Sequence, residues 1–144
     1  MPISTTYLPD INVWLALVTQ RHVHHPSASK WFDDLDQEPV AFCRITQMGL
    51  LRLLTQERVM GEDVVTQQEA WEIYDQIKED PRIGFLNEPS ALEPLWRSFS
   101  VQKRPAHHAW TDAYLMAFAK ARDLTLVSFD GAIHKSYPSA LLLR

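Results

Sequence analysis

A single cysteine, Cys43, leaves the chain without an internal disulfide, and its place in an apolar run gives it the character of a small buried thiol. Long apolar runs are missing as well. The longest, Ala113 to Ala119, falls far short of the roughly 20 residues that cross a bilayer. No Lys or Arg precedes Arg21, and Asp10 and Asn12 interrupt the early apolar residues. The pattern of a secretory signal is therefore not met, and a cytoplasmic location is expected. Internal repeats and low-complexity stretches are absent, as are a His-Glu-x-x-His run and a cysteine pair that would frame a zinc site.

What is present is the composition of an ordinary globular protein. The 144 residues are 46% hydrophobic and 22% charged, which argues against disorder and fits one domain over residues 1–144 with a sizeable core. The net charge of −4, taken alone, argues against a polyanionic partner. The average hides a split, however. Residues 1–95 carry seven Lys or Arg against fifteen Asp or Glu, a balance of −8, whereas residues 96–144 carry seven against three, a balance of +4. A basic final third that also holds His107, His108 and His134 fits either a nucleic-acid surface or ordinary variation in solvated charge. Its three acids, Asp112, Asp123 and Asp130, each call for an explanation.

The chain alternates strand and helix patterns. Thr5–Leu8 reads as a short strand before Pro9 and Asp10, and Val13 to Val18 as a densely apolar helix. Pro26 opens a second helix with Ala28, Trp31, Phe32 and Leu35 on one stripe. Val40–Cys43 reads as a strand and Ile45–Leu54 as a helix apolar on two sides, through Met48, Leu51 and Leu54 and through Leu50 and Leu53. Such a helix is either sandwiched in the fold or shared with a second subunit. A polar helix is expected over residues 64–80, stopped by Pro81, then a strand at Ile83–Leu86 and a helix around Ala91–Val101. Residues 102–108 read as loop, Trp110–Asp123 as an Ala-rich helix, Leu124–Phe129 as a buried strand and Ala140–Leu143 as a closing strand, with a turn or short helix before it. This order implies an α/β fold with a parallel sheet covered by helices on both faces.

In open sheets of this kind, sites form at the carboxyl ends of the strands, and three carboxylates fall there. Asp10 follows the first strand, Asp130 follows the strand at 124–129, and Asp112 lies in the first turn of the helix before it. Singly, each has a structural explanation as a helix cap or turn residue. Together they form a cluster that needs a cation, since neighbouring carboxylates raise one another's pKa. Ligands that are all oxygen suit Mg²⁺ or Mn²⁺.

Three stretches carry a family resemblance: Tyr7 to Trp14, with Asp10 and Asn12; Arg44 to Leu54, with Thr46 and Gln47; and Trp110-Thr111-Asp112-Ala113 with Ser128-Phe129-Asp130. The set resembles a PIN domain, and more narrowly the VapC ribonuclease toxins of bacterial toxin–antitoxin pairs, over nearly the whole chain. The resemblance implies a three-layer fold with a central parallel sheet, a Mg²⁺ or Mn²⁺ site of acidic side chains, endonuclease action on RNA, a cognate antitoxin and a homodimer. It maps Asp10, Asp112 and Asp130 onto the acidic metal ligands and Asn12 and Ser128 onto polar supporting positions. Where many members carry an early glutamate in the third helix, this chain has Gln47. That residue still accepts a bond from metal-bound water but brings no charge, so weaker metal affinity or an indirect role is expected. Glu57 would lie about 80° round and roughly 15 Å further along a continuous helix, and is no substitute.

The mechanism implied is hydrolysis by a metal-activated water, one carboxylate, Asp112 or Asp130, orienting or deprotonating it. Arg44, Arg52, Lys103, Arg104 and His107 are candidates for holding the RNA backbone. Trp110 is a candidate stacking platform, although five tryptophans in a chain of this size are more often core. Other readings are an inert PIN-like module that only binds a partner, a phosphatase of the haloacid dehalogenase type, and a zinc hydrolase built on His22, His24, His25, His107 and His108. The phosphatase reading rests on Asp10-x-Asn12, but needs an acid where Asn12 stands.

Overall fold

The computed structural model describes residues 5–144. In chain order its elements are β1 (Tyr7–Pro9), α1 (Ile11–Val18), α2 (His25–Asp33), β2 (Val40–Phe42), α3 (Arg44–Leu54) and α4 (Glu57–Met60), followed by a 3₁₀ turn at Gly61–Asp63. Then come α5 (Gln67–Ile77), β3 (Ile83–Phe85), α6 (Leu92–Ser100), α7 (Ala109–Arg122), β4 (Thr125–Ser128), α8 (Gly131–Ser136) and β5 (Leu141–Leu142). The strands form one parallel sheet in the order β3-β2-β1-β4-β5.

Alternate strand residues feed two cores, as the period of a strand requires. Tyr7, Val40, Phe42, Ile83 and Phe85 face a layer containing α1, α3 and α5, where Trp14 stacks on Phe42 with ring centroids 3.8 Å apart. Leu8, Cys43 and Leu126 face the opposite layer, with Leu115, Phe118 and Ile133 of α7 and α8. Each fully buried aliphatic or aromatic side chain there contributes roughly 1.5–3 kcal/mol.

The order of the strands decides where a site can form. From β1 the chain adds β2 and β3 on one side, then crosses to add β4 and β5 on the other. The reversal lies between β1 and β4, and the crevice outside their carboxyl ends is the favoured ligand position in sheets of this class.

The strands start and stop differently from the sequence pattern. β1 runs to Pro9, which pairs with Val127 in a central strand. Proline is tolerated because backbone amides alternate sides: the Tyr7 amide donates to Pro39 on the β2 side and the Asp10 amide to Val127 on the β4 side. The missing donor of Pro9 thus falls on the β2 side, where the β1–β2 register holds only Tyr7 against Val40. Cys43, read as the last residue of a strand, caps a helix instead, and the strand expected over 124–129 is confined to Thr125–Ser128. The helix expected over 64–80 is confined to Gln67–Ile77, opened by a reciprocal Thr66–Glu69 capping box. Glu57 opens α4, separate from α3, so the continuous-helix geometry used to place it does not apply. Asp123 ends α7 in the left-handed region at φ 56°, a conformation Asp tolerates better than most residues. Among the described residues no helix is long and apolar enough to cross a membrane.

Candidate active site

The carboxyl ends of β1 and β4 are tied together through side chains. Asp10 caps α1, its Oδ1 accepting from the Val13 amide at 3.0 Å. Its Oδ2 accepts from the Ser128 hydroxyl at 2.5 Å. The Ser128 Oγ in turn accepts from the Asp130 amide at 2.9 Å, and Asp130 Oδ1 caps α8 by accepting from the Ala132 amide at 2.8 Å. The cap reading of Asp10 is therefore correct as far as it goes, and Asp130, read as a turn residue, caps a helix as well; the two caps also hold both carboxylates at one crevice.

Asp112 reaches the same crevice from the first turn of α7. Together with Asp130 it lines a cleft of about 380 Å³ whose walls include His108, Met116 and Ile133. Asp10 lies deeper, at 6% exposure. Burial pushes its carboxyl up to about 6, partly offset by the bonds from Ser128 and Val13 and reinforced by the charges of Asp112 and Asp130. Asp112 is also raised, by burial and then by Asp130, while His108 pulls it down. Among the described residues, none of the three pairs with a basic side chain. Also among those residues, no three His, Cys, Asp or Glu side chains are gathered into a finished metal-binding group. The carboxylates thus feel one another's charge without closing a cage. Oxygen donors in mutual repulsion fit a hard divalent cation, and Mg²⁺ usually keeps several waters of its own.

Other candidates go elsewhere. Gln47 is buried, but its Oε1 accepts from Arg44 Nη1 at 2.6 Å, and among the described residues none of its side-chain hydrogen bonds runs to the carboxylates. Asn12 is exposed and lines a different groove, with Arg21, Met60 and Asp63. Arg44 lies over the Phe85 ring at 4.7 Å, at the start of α3. Arg52 is exposed eight residues later, about 12 Å along the helix and away from the strand ends. Lys103, Arg104 and His107 are exposed on the α6–α7 segment that adjoins the cleft. Sequence reasoning missed His108 as the neighbour of Asp112, a relation the four-residue spacing at the start of α7 contains.

The geometry bears on the competing chemistries. Both Asp10 oxygens are already engaged, which is poor placement for a nucleophile attacking phosphorus. Among the described residues the histidines form no metal-binding group: His25 Nδ1 bonds the Ala16 carbonyl at 2.7 Å, His22 Nδ1 accepts from the His24 amide, and the His24 ring stacks on Phe129.

Comparison with known proteins places this arrangement. The PIN domain family model matches residues 7–137. Ribonuclease VapC41 of Mycobacterium tuberculosis is 44% identical over 130 residues, 87% of this chain and 89% of the relative. Ribonuclease VapC44 of the same organism is 30% identical over 128 residues, 88% of this chain and 87% of the relative. Among solved structures, VapC20 of M. tuberculosis, a sarcin-ricin loop cleaving toxin, superposes with a TM-score of 0.67 at 15% identity, covering 91% of this chain and 95% of that one. VapBC2 of Rickettsia felis, bound to a promoter DNA fragment, gives 0.67 at 12% identity, covering 96% and 97%. With its parallel five-stranded sheet and the carboxylates at the β1–β4 reversal, the chain belongs to the PIN-domain family, in its VapC branch.

Proposed function

We propose that the chain is a Mg²⁺- or Mn²⁺-dependent endoribonuclease, the toxin of a toxin–antitoxin pair, acting in the cytoplasm as a single PIN-like unit over residues 1–144. The observation that carries the reading is the tethering of Asp10 and Asp130 through Ser128, with Asp112 facing them and no basic side chain paired to any of the three among the described residues.

Asp10, Asp112 and Asp130 are the residues that would hold the cation; when bound, it supplies Lewis acidity at a phosphate oxygen and lowers the pKa of a water. Ser128 keeps Asp10 oriented and holds the start of the Asp130 loop. Asp112 lines the cleft and has a raised pKa, so it is the better base for the attacking water's proton, whereas one oxygen of Asp130 is occupied by the α8 cap. Arg104 and His107 line a recess that shares residues with the cleft, and together with Lys103, exposed on the same segment, they hold the RNA backbone. Arg44 and Arg52, on α3, contact it further from the reacting phosphate. Gln47, bonded to Arg44, acts through that residue.

The partner is a cognate antitoxin: VapBC2 of R. felis and VapBC-1 of Haemophilus influenzae share this fold. A homodimer is also part of the reading, on the α3 side where Met48 is 57% exposed beside partly buried Leu51.

The test is incubation of the purified, partner-free chain with total RNA and Mg²⁺ or Mn²⁺, beside an Asp10→Asn/Asp112→Asn variant and a chelator control. Defined fragments lost in both controls support the reading. No cleavage by folded protein with either metal contradicts it and leaves the partner-binding module.

A further inference from the structure

A second recess, of about 820 Å³, opens beside the carboxylate cleft and shares the residues Gln102, Ala106 and Ala109 with it. Its walls combine aromatic and basic groups: Trp96 and Trp110 with Arg97, Arg104 and His107. Trp110 is 59% exposed, unusual for so large an apolar side chain. It is nevertheless held in place. Its ring meets Trp96 at a centroid distance of 6.2 Å with planes 75° apart, and the Trp96 indole N–H donates to the Trp110 carbonyl at 2.9 Å. Trp96 is itself braced edge-on by Tyr114 at 5.7 Å. The perpendicular contact fixes Trp110 without covering it by parallel stacking. Among the described residues Arg97 pairs with Glu93 alone, itself on the wall of the recess, at 3.1 Å between exposed side chains, a pair worth little in water and open to competition from a phosphate.

We propose that this recess is a substrate subsite that takes one unpaired nucleotide of single-stranded RNA next to the scissile phosphate, its base stacked on Trp110 and its phosphate held by Arg104 and Arg97. Three features select this occupant. The recess is continuous with the cleft that holds Asp112 and Asp130, its charge is complementary to phosphate, and a fixed, open indole suits a splayed base. Trp96 is a positioning residue, acting through Trp110. The subsite rests on the ribonuclease reading for its place beside a scissile bond, and binding measurements separate the two.

The experiment titrates a fluorescein-labelled single-stranded oligoribonucleotide, and the same sequence as a blunt duplex, into chelator-treated protein, where no cleavage occurs. Wild type is compared with Trp110→Ala, Trp110→Phe, Arg104→Ala and Trp71→Ala, the last removing another exposed tryptophan, on α5. Trp110→Ala is expected to weaken single-strand binding about 5- to 100-fold, Trp110→Phe to restore most of it, Arg104→Ala to weaken it and flatten its salt dependence, and Trp71→Ala to leave it unchanged. Duplex binding should change little. Alanine is a good helix former at this exposed site, and thermal melts confirm the fold. Loss of affinity in Trp110→Ala, without metal-dependent cleavage by wild type, keeps the subsite and refutes the ribonuclease reading. Cleavage with the KM and affinity of Trp110→Ala equal to wild type does the reverse and assigns the recess to a protein partner instead. Absence of any single-strand binding by wild type overturns the subsite.

Discussion

The Ser128 hydroxyl donates to Asp10 Oδ2 across 118 residues of chain, at 2.5 Å. This one bond joins the carboxyl ends of β1 and β4 at the place where the strand order reverses, and the Ser128 Oγ also accepts from the Asp130 amide. Ser128 therefore sets the geometry of two carboxylates at once.

Ser128→Ala removes a donor that favours the ionised form of Asp10. The carboxyl then holds its proton to higher pH, so the acid limb of the activity profile moves upward. Loss of orientation costs about 10- to 100-fold in metal affinity or activity. A pH–rate profile beside a Mn²⁺ titration checks both.

Asp10→Asn makes the metal-free protein more stable at neutral pH. The folded Asp10 titrates at about 6 against a reference of 3.8, so the folded chain keeps a proton that the unfolded chain releases between those values. Stability falls as pH rises through that window and the loss is complete above it. The buried charge costs up to about 3 kcal/mol there, and asparagine removes it while keeping an oxygen for the Val13 amide. Melting at about pH 7.5 should show the variant above wild type without metal, no such advantage near pH 4, and a Mn²⁺-induced rise in wild type alone.

Gln47→Glu does not raise metal affinity. Its side chain is committed to Arg44, and a carboxylate there pairs with the same guanidinium. Calorimetric Mn²⁺ titration should give the wild-type constant; tighter binding would show that position 47 reaches the cation.

Gly49→Ala disturbs the site through packing. A Cβ on Gly49 would stand 2.3 Å from Ile11 Cδ1 and 2.7 Å from its Cγ1, and Ile11 directly follows Asp10. The expected cost is about 1–3 kcal/mol, with weaker Mn²⁺ binding. Adding Ile11→Ala recovers part of both, as measured by melts of the single and double variants.

Much of this was legible in the residues. Leu126 and Val127 sit in a short apolar run that only a buried strand explains, and Asp10, Asp112 and Asp130 were found by asking which acids fall at strand ends. Other features depend on groups distant in sequence. Pro9 looked like a strand terminator because the alternation of amide directions is not written in its neighbours. Gln47 was singled out because it stands where the family resemblance sets a glutamate; its side chain bonds Arg44, while Gly49, two residues on, faces Ile11. Trp110 could not be told from core tryptophans such as Trp14 until exposure separated them.

The most direct test titrates Mn²⁺ into wild type and the Asp10→Asn/Asp112→Asn variant while following bound Mn²⁺ by electron paramagnetic resonance and cleavage of a labelled single-stranded RNA in the same samples. The account predicts that cleavage rises with site occupancy in wild type and that both vanish in the variant. Undiminished cleavage in the variant, or cleavage that persists in chelator, would contradict it.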